Sequence, residues 1–373
     1  MPKNWKTYKL EKVATLQRGF DLPSRKRVQG KYPIIAASGF TAWHNEYKVK
    51  GPGVTTGRSG TLGKVFYEAN DYWPLNTSLW VKNFNGNYPR YIYYFLKTLN
   101  FNEFNSGTSV PTLNRNDVHS LDVNVPPLPE QKAIASILST IDDKIENNLA
   151  MNKTLEDMAM ALYKHWFIDF GQELENTLAD YVNLNPRLSI KKGELASYVN
   201  MKALPTEGMS VSEVDKVVVK GGAKFQNGDT LLARITPCLE NGKTAFVDFL
   251  DENEIGFGST EFLVLRAKEG ISKYWVYCLS RDTNLVNHAV SCMIGTSGRQ
   301  RVQNNPFLQY ELPEINKETM VSFEKKVEPW FKKVKANTNE NQTLTKLRDS
   351  LLPKLISGEV RLKEFEEEIT DAL

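Results

Sequence analysis

The sequence predicts an α+β protein built twice over, as two tandem, pseudo-symmetric globular domains that are each followed by a long helix. Three observations carry this. Ile134 to Phe167 can be laid on Phe323 to Ile356 without a gap, at the constant offset of 189 that separates Leu155 from Leu344. Within the first copy, apolar residues at 134, 138, 141, 145, 155, 158 and 162 keep the three-four spacing of an amphipathic stripe. The stretches between the copies hold short apolar or alternating runs bounded by Gly, Pro, Asn and Ser, the pattern of strands and turns.

Residues 1–125 form the first domain. Tyr32-Pro33-Ile34-Ile35 and Lys64-Val65-Phe66-Tyr67 read as strands, and Tyr88 to Leu96 as a short helix that opens on Pro89. Val125-Pro126-Pro127-Leu128-Pro129-Glu130-Gln131 stops a strand and opens the first long helix, placed within 126–170. About 34 residues at 1.5 Å rise give a rod of roughly 50 Å, too long to stand without a partner helix. The second copy supplies one within 315–357, where Pro329 and Pro353 are expected to limit or bend it. Residues 171–314 are the second domain and 358–373 a tail.

The domains correspond as well, with gaps. Gly63-Lys64-Val65-Phe66 matches Gly242-Lys243-Thr244-Ala245-Phe246, Tyr91-Ile92-Tyr93 matches Tyr274-Trp275-Val276, and Gly107-Thr108-Ser109 matches Gly295-Thr296-Ser297. Loop lengths have drifted while the order of elements has not, which suggests two related domains with different targets. Two polar positions also repeat inside the stripe: Asn148 falls on Asn337 and Asn152 on Asn341. Asn in an apolar helical seam fixes register at some cost in stability.

With 373 residues, 41% hydrophobic and 24% charged, the chain can bury two or three cores, so disorder of the whole is excluded. A net charge of +3 permits a nucleic-acid partner without demanding one. The amino terminus lacks a signal-type apolar run and no stretch of about 18 apolar residues occurs, so a cytoplasmic protein is expected. Cys238, Cys278 and Cys292 lack metal or disulfide spacing and read as reduced thiols.

Catalytic constellations are missing. Gly242-Lys243-Thr244 ends like a phosphate loop, but Pro237 stands where the first glycine belongs, and both Gly-Lys pairs read as glycine turns before strands. Asn305-Pro306-Phe307 lacks the second proline of an amino-methyltransferase motif and reads as a turn before a strand over Leu308 to Leu312. His44, His119, His165 and His288 are too scattered for a metal site.

The alternation of variable domain and long helix, the Pro-Pro-Leu-Pro-Glu-Gln opening at 126–131 and the ending Leu351-Leu352-Pro353-Lys354-Leu355-Ile356-Ser357-Gly358-Glu359-Val360 resemble the DNA-specificity subunits of type I restriction-modification systems. The resemblance spans essentially the whole chain. Its second helix opening, Leu312-Pro313-Glu314-Ile315, is a reduced version of the first. It implies a non-catalytic protein that reads one half of a split duplex DNA site with each domain. The two helices would pair as an antiparallel coiled coil, with Asn148 and Asn152 near Asn341 and Asn337. Two methylation subunits and the restriction-translocase subunits would assemble around it. S-adenosylmethionine, ATP and Mg would belong to those partners, with no cofactor and no metal in this chain.

On that reading the DNA-contacting candidates of the first domain are Arg18, Arg25, Lys26, Arg27, Arg58, Ser59, Lys64, Thr108, Ser109 and Arg115. Those of the second are Arg234, Lys243, Thr296, Ser297, Arg299, Gln300 and Arg301. Arg and Lys neutralise phosphate, and Arg or Gln can hydrogen-bond purine edges. A methyltransferase or NTPase in its own right, and a tandem adaptor for RNA or protein, are the competing classes.

Overall fold

The structure is a computed structural model that describes residues 4–107, 109–169, 174–296 and 298–362. It divides into two compact units, Met1–Ile145 with Thr343–Leu373, and Glu146–Gln342. The division cuts through both long helices. Each unit therefore contains one globular domain and half of each helix.

Unit 1 opens with β1 (Lys6–Lys9), the single turn α1 (Leu10–Val13) and β2 (Thr15–Arg18). It continues through β3 (Tyr32–Ala36), β4 (Gly39–His44), β5 (Gly53–Gly57), β6 (Val65–Glu68), β7 (Trp73–Pro74) and β8 (Ser78–Asn83). Helices α2 (Pro89–Lys97) and α3 (Arg115–His119) and strand β9 (Asp122–Val125) lead into α4 (Leu128–Phe167). The strands form a β2-β8-β5-β6 sheet, a β4-β3-β7 sheet in which β3 and β7 run parallel, and a β1-β9 pair. Pro89 occupies the first turn of α2, where its missing N–H leaves no bond unmade.

Unit 2 repeats this order. It comprises β10 (Leu174–Thr177), α5 (Leu178–Tyr181), β11 (Val182–Leu184), β12 (Leu195–Val199), β13 (Asp215–Val218) and β14 (Ala223–Phe225). Next come β15 (Thr230–Ala233), β16 (Thr244–Phe246), β17 (Gly256–Gly258), β18 (Phe262–Ala267), α6 (Lys273–Arg281) and α7 (Thr283–Ser291). The last elements are β19 (Met293–Ile294), β20 (Arg301–Val302), α8 (Asn304–Leu308), β21 (Glu311–Pro313) and α9 (Lys317–Ser357). The sheet β11-β18-β15-β16 copies β2-β8-β5-β6 strand for strand, and β12 runs parallel to β17 as β3 does to β7. Gly63 and Gly242 take φ of 82° and 72° in the turns before β6 and β16, a left-handed conformation that glycine adopts without strain.

The helix stripes fill both cores. In unit 1, Ile134, Leu138 and Ile141 of α4 and Leu351, Leu352, Leu355 and Ile356 of α9 close over Tyr91, Ile92 and Phe95. In unit 2, Ala159, Tyr163 and Phe167 of α4 and Phe323, Val327, Phe331 and Val334 of α9 close over Trp275 and Leu279.

Two expectations are corrected. Neither Pro329 nor Pro353 limits the second long helix, which runs through both from Lys317 to Ser357. Both prolines are exposed, so water can satisfy the carbonyl each leaves unbonded. Each costs about 3 kcal/mol, whereas burying Phe323, Val327, Phe331 and Val334 contributes about 1.5–3 kcal/mol apiece. Asn305-Pro306-Phe307 is not a turn before a strand over Leu308 to Leu312. It lies in α8, one turn of helix that buries Phe307, and the strand begins only at Glu311. Proline is tolerated there because the first turn of a helix has no bond for its missing N–H.

Candidate nucleic-acid interface

In each unit the loop after the central strand is laced to a second loop brought from far along the chain. Arg58, directly after β5, donates its N–H to Thr77 O (2.8 Å) and accepts from Leu113 N–H (2.8 Å). Ser59 bridges to Thr112, and Gly60 N–H donates to Pro111 O (2.9 Å). Asn105 Oδ1 tightens the partner loop by accepting from the N–H groups of Gly107 and Thr112 at 3.0 and 2.9 Å. Unit 2 reproduces the lacing: Arg234 N–H donates to Glu261 O (3.0 Å), Val302 N–H to Arg234 O (2.9 Å), and Ile235 bridges to Arg301. The candidates Arg58 and Ser59 thus meet the stretch Pro111–Leu113, and Arg234 meets the candidate Arg301, in two equivalent loop clusters.

Side chains within the clusters are not equally available. Arg234 donates to Val302 O (2.8 Å) and Asn304 Oδ1 (3.4 Å), Lys243 Nζ to Met201 O (2.7 Å), and Arg301 pairs with Glu261. These three are engaged within their own unit. Arg115, Lys64, Ser109, Thr296 and Arg299 are exposed, and Gln300 is half-buried. Arg58 makes one long bond, Nη1 to Asn76 O at 3.4 Å. Thr108 and Ser297 lie outside the described residues.

The other candidates lie elsewhere in unit 1. Arg18 is 3.6 Å from Asp21, Arg27 Nε donates to Leu22 O (3.3 Å), and Arg25 and Lys26 project from a 3-10 turn at Ser24–Lys26.

The register candidates meet on the helices. Asn148 Nδ2 donates to Asn341 Oδ1 (2.9 Å) and Glu340 Oε2 (2.7 Å), and Asn337 Nδ2 donates to Asn152 Oδ1 (2.8 Å). The offset of 189 carries the first Asn–Asn pair onto the second, so the contact runs antiparallel and is its own image.

Sequence reasoning missed the polar joints that seat the helices. Glu130 accepts from Asn4 Nδ2 (3.0 Å) and Trp5 Nε1 (3.2 Å). The buried Gln131 accepts from Tyr88 N–H (2.9 Å) and donates to Asn87 Oδ1 (2.7 Å) and Pro126 O (2.9 Å). The Pro-Glu-Gln segment is therefore a clasp on the domain as well as a helix start. Tyr94 Oη donates to Asp142 Oδ2 (2.7 Å), whose Oδ1 accepts from Arg348 Nη1 (2.9 Å), and burial and Asp142 push the Tyr94 phenol well up. In unit 2, Tyr277 Oη donates to Glu156, with Arg281 3.6 Å from the same carboxylate. The repeated Tyr91-Ile92-Tyr93 register was the available signal, since it carries Tyr94 onto Tyr277.

Among the described residues no group of three or more His, Cys, Asp or Glu could hold a metal, and no helix is long and apolar enough to cross a membrane. Cys278 and Cys292 are buried and Cys238 half-buried, all as free thiols.

Fold and loops together define an internally duplicated protein in which two related sheets present equivalent loop clusters from half-shared helices. The model of the type I restriction modification DNA specificity domain matches residues 2–157. The MjaIX specificity subunit of Methanocaldococcus jannaschii is 26% identical over 98% of this chain and 95% of that one, and the HindI specificity subunit of Haemophilus influenzae 24% over 69% and 73%. Among solved structures, the S subunit of a type I restriction-modification system from M. genitalium shares the fold with a TM-score of 0.63 at 18% identity, over 95% of this chain and 96% of that one. The chain is thus similar along nearly its whole length to DNA-specificity subunits of type I restriction-modification systems.

Proposed function

We propose that this chain selects a bipartite duplex DNA site, with one half-site read by each loop cluster and the gap set by the helices. The observation that carries the reading is the self-imaging contact of Asn148 with Asn341 and Asn152 with Asn337, because a slip of one turn would unpair both. Arg58, Arg115, Lys64 and Arg299 are the exposed or half-exposed cations best placed for phosphate and purine contact. Arg234, Lys243 and Arg301 shape the clusters instead. The chain performs no chemistry itself. Cytoplasmic methylation and restriction subunits bring S-adenosylmethionine, ATP and Mg.

Two helix positions equivalent at the offset of 189, Met158 in unit 2 and Leu347 in unit 1, are both exposed, 44% and 39%. Such paired apolar positions suit two copies of one methylation subunit. Deleting four residues from each helix should shift the preferred gap while leaving both half-site sequences unchanged, as read by methylation-pattern sequencing of cells carrying the complex. An unchanged gap would overturn the ruler.

A further inference from the structure

The β3–β4 hairpin of unit 1 carries two large aromatic side chains that packing does not explain. Phe40 and Trp43 remain 56% and 45% exposed. In a regular strand, residues three apart point to opposite faces. Here the register slips, since Ile35 pairs with Phe40 while Ile34 pairs with Ala42, which leaves Thr41 as the extra residue of a β-bulge. The bulge returns Phe40 and Trp43 to one face, with ring centroids 5.1 Å apart. Strand β4 is the edge of its sheet, with β3 as its pairing strand among the described residues.

Exposed cations stand on the segment tied to the end of this strand. Val28 N–H donates to His44 Nδ1 (3.1 Å) and Asn45 N–H to Val28 O (3.0 Å), which holds the Arg25-Lys26 turn beside the end of β4. Both side chains are exposed. Lys31 lies over the Tyr32 ring at 5.3 Å, and Glu46 is the carboxylate nearest in sequence. Among the described residues unit 2 has no counterpart: β12 and β13 pair in unbroken register, and their exposed apolar residues are Leu195, Val217 and Val218. An exposed aromatic pair with exposed cations on the segment tied to its strand suits stacked bases between phosphates rather than a protein surface.

We propose that Phe40 and Trp43 form a wedge that stacks into one base step of the duplex held by unit 1, with Arg25 and Lys26 on the flanking phosphates. This rests on the specificity-subunit reading and adds that the two half-sites are handled differently. Unit 1 unstacks its DNA and unit 2 does not. Apolar wedges of this kind kink the duplex and favour easily unstacked pyrimidine–purine steps.

The test uses the full-length chain, alone and co-expressed with its methylation subunits, to select duplexes from a randomised pool. 2-Aminopurine is then walked through the selected sequence. Binding should brighten one position in a single half-site several-fold. The double variant Phe40→Ser, Trp43→Ser should lose that signal and bind about 5- to 100-fold more weakly, with an unchanged melting temperature because both side chains are exposed. Arg25→Ala with Lys26→Ala should keep the brightening and flatten the salt dependence by about two counterions. If duplexes are selected but no position brightens, or the double variant behaves as the parent, the wedge is overturned and the specificity reading stands. If no duplex is selected, both fall and the hairpin is a protein-docking surface.

Discussion

The two units solve the same packing problem at the helix junction with different residues. Tyr94 of α2 and Tyr277 of α6 are equivalents, and each turns its hydroxyl toward a carboxylate on α4. In unit 1 the carboxylate is Asp142 and the cation Arg348 comes from α9. In unit 2 the carboxylate is Glu156 and the cation Arg281 comes from α6 itself. Phe331, which the offset of 189 places on Asp142, lies 5.6 Å from the Tyr277 ring. Duplication has kept the requirement that a buried hydroxyl be satisfied, and mutation has moved the groups that satisfy it.

The largest test of this comparison removes the cations. Arg281 also donates to the carbonyls of Thr206, Gly242 and Gly208, so Arg281→Ala strands a half-buried carboxylate and three acceptors. It should cost about 3–5 kcal/mol in urea unfolding. Arg348→Ala should cost less, about 2–3 kcal/mol, because Arg348 is more exposed and its second partner Asp349 is solvated. The reverse order would show that the junctions are not alternative forms of one device.

Next in size is the clasp. Gln131 meets Met320 at the offset of 189, and both are buried. Gln131→Met should cost about 2–3 kcal/mol by leaving Tyr88 N–H and Pro126 O unpaired. Met320→Gln should also destabilise, since it places an amide among the apolar side chains of the unit 2 core. If thermal melts show either change to be neutral, the asymmetry of the two helix starts carries no energy.

These joints also mark what the sequence could reveal. The helices were legible because a stripe repeating without gaps leaves one periodic signal, and the strands because glycine and asparagine punctuate them. Loop clusters were half legible: Arg58 and Arg234 aligned, but their lacing to Leu113 and Val302 joins residues 55 and 68 apart. Gln131 looked like part of a helix start because its partners, Asn87 and Tyr88, lie on another element. That Arg234, Lys243 and Arg301 are engaged within unit 2 had no local signal, since an engaged cation and a free one have the same spelling.

The smallest effect separates the units by pH. His119 accepts from Leu16 N–H (2.9 Å), and burial holds its imidazole below the usual range. Its neutral form is the folded one, so its contribution to unit 1 is present above the unfolded value of about 6.5 and is lost as pH falls below it. Burial raises the Asp248 carboxyl to about 6, against the pull of Lys335. The folded form holds its proton more tightly, so unit 2 gains stability as pH falls through about 6 toward the ordinary carboxylate range. Hydrogen exchange between pH 5 and 7 should show the His119 contribution to unit 1 falling, and the Asp248 contribution to unit 2 rising, as pH falls. His119→Gln should flatten the first trend and Asp248→Asn the second, and variants that keep the parent's trends would refute the assignment.

The seam of Asn148, Asn152, Asn337 and Asn341 has one more consequence. Because each helix maps onto the other at a fixed offset and each Asn pair onto its twin, the surface of α4 is complementary to a reversed copy of itself. That is the defining property of an isologous interface, ordinarily found between identical subunits. Here both halves of such a dimer have been joined into one polypeptide, and each is free to diverge without losing its mate.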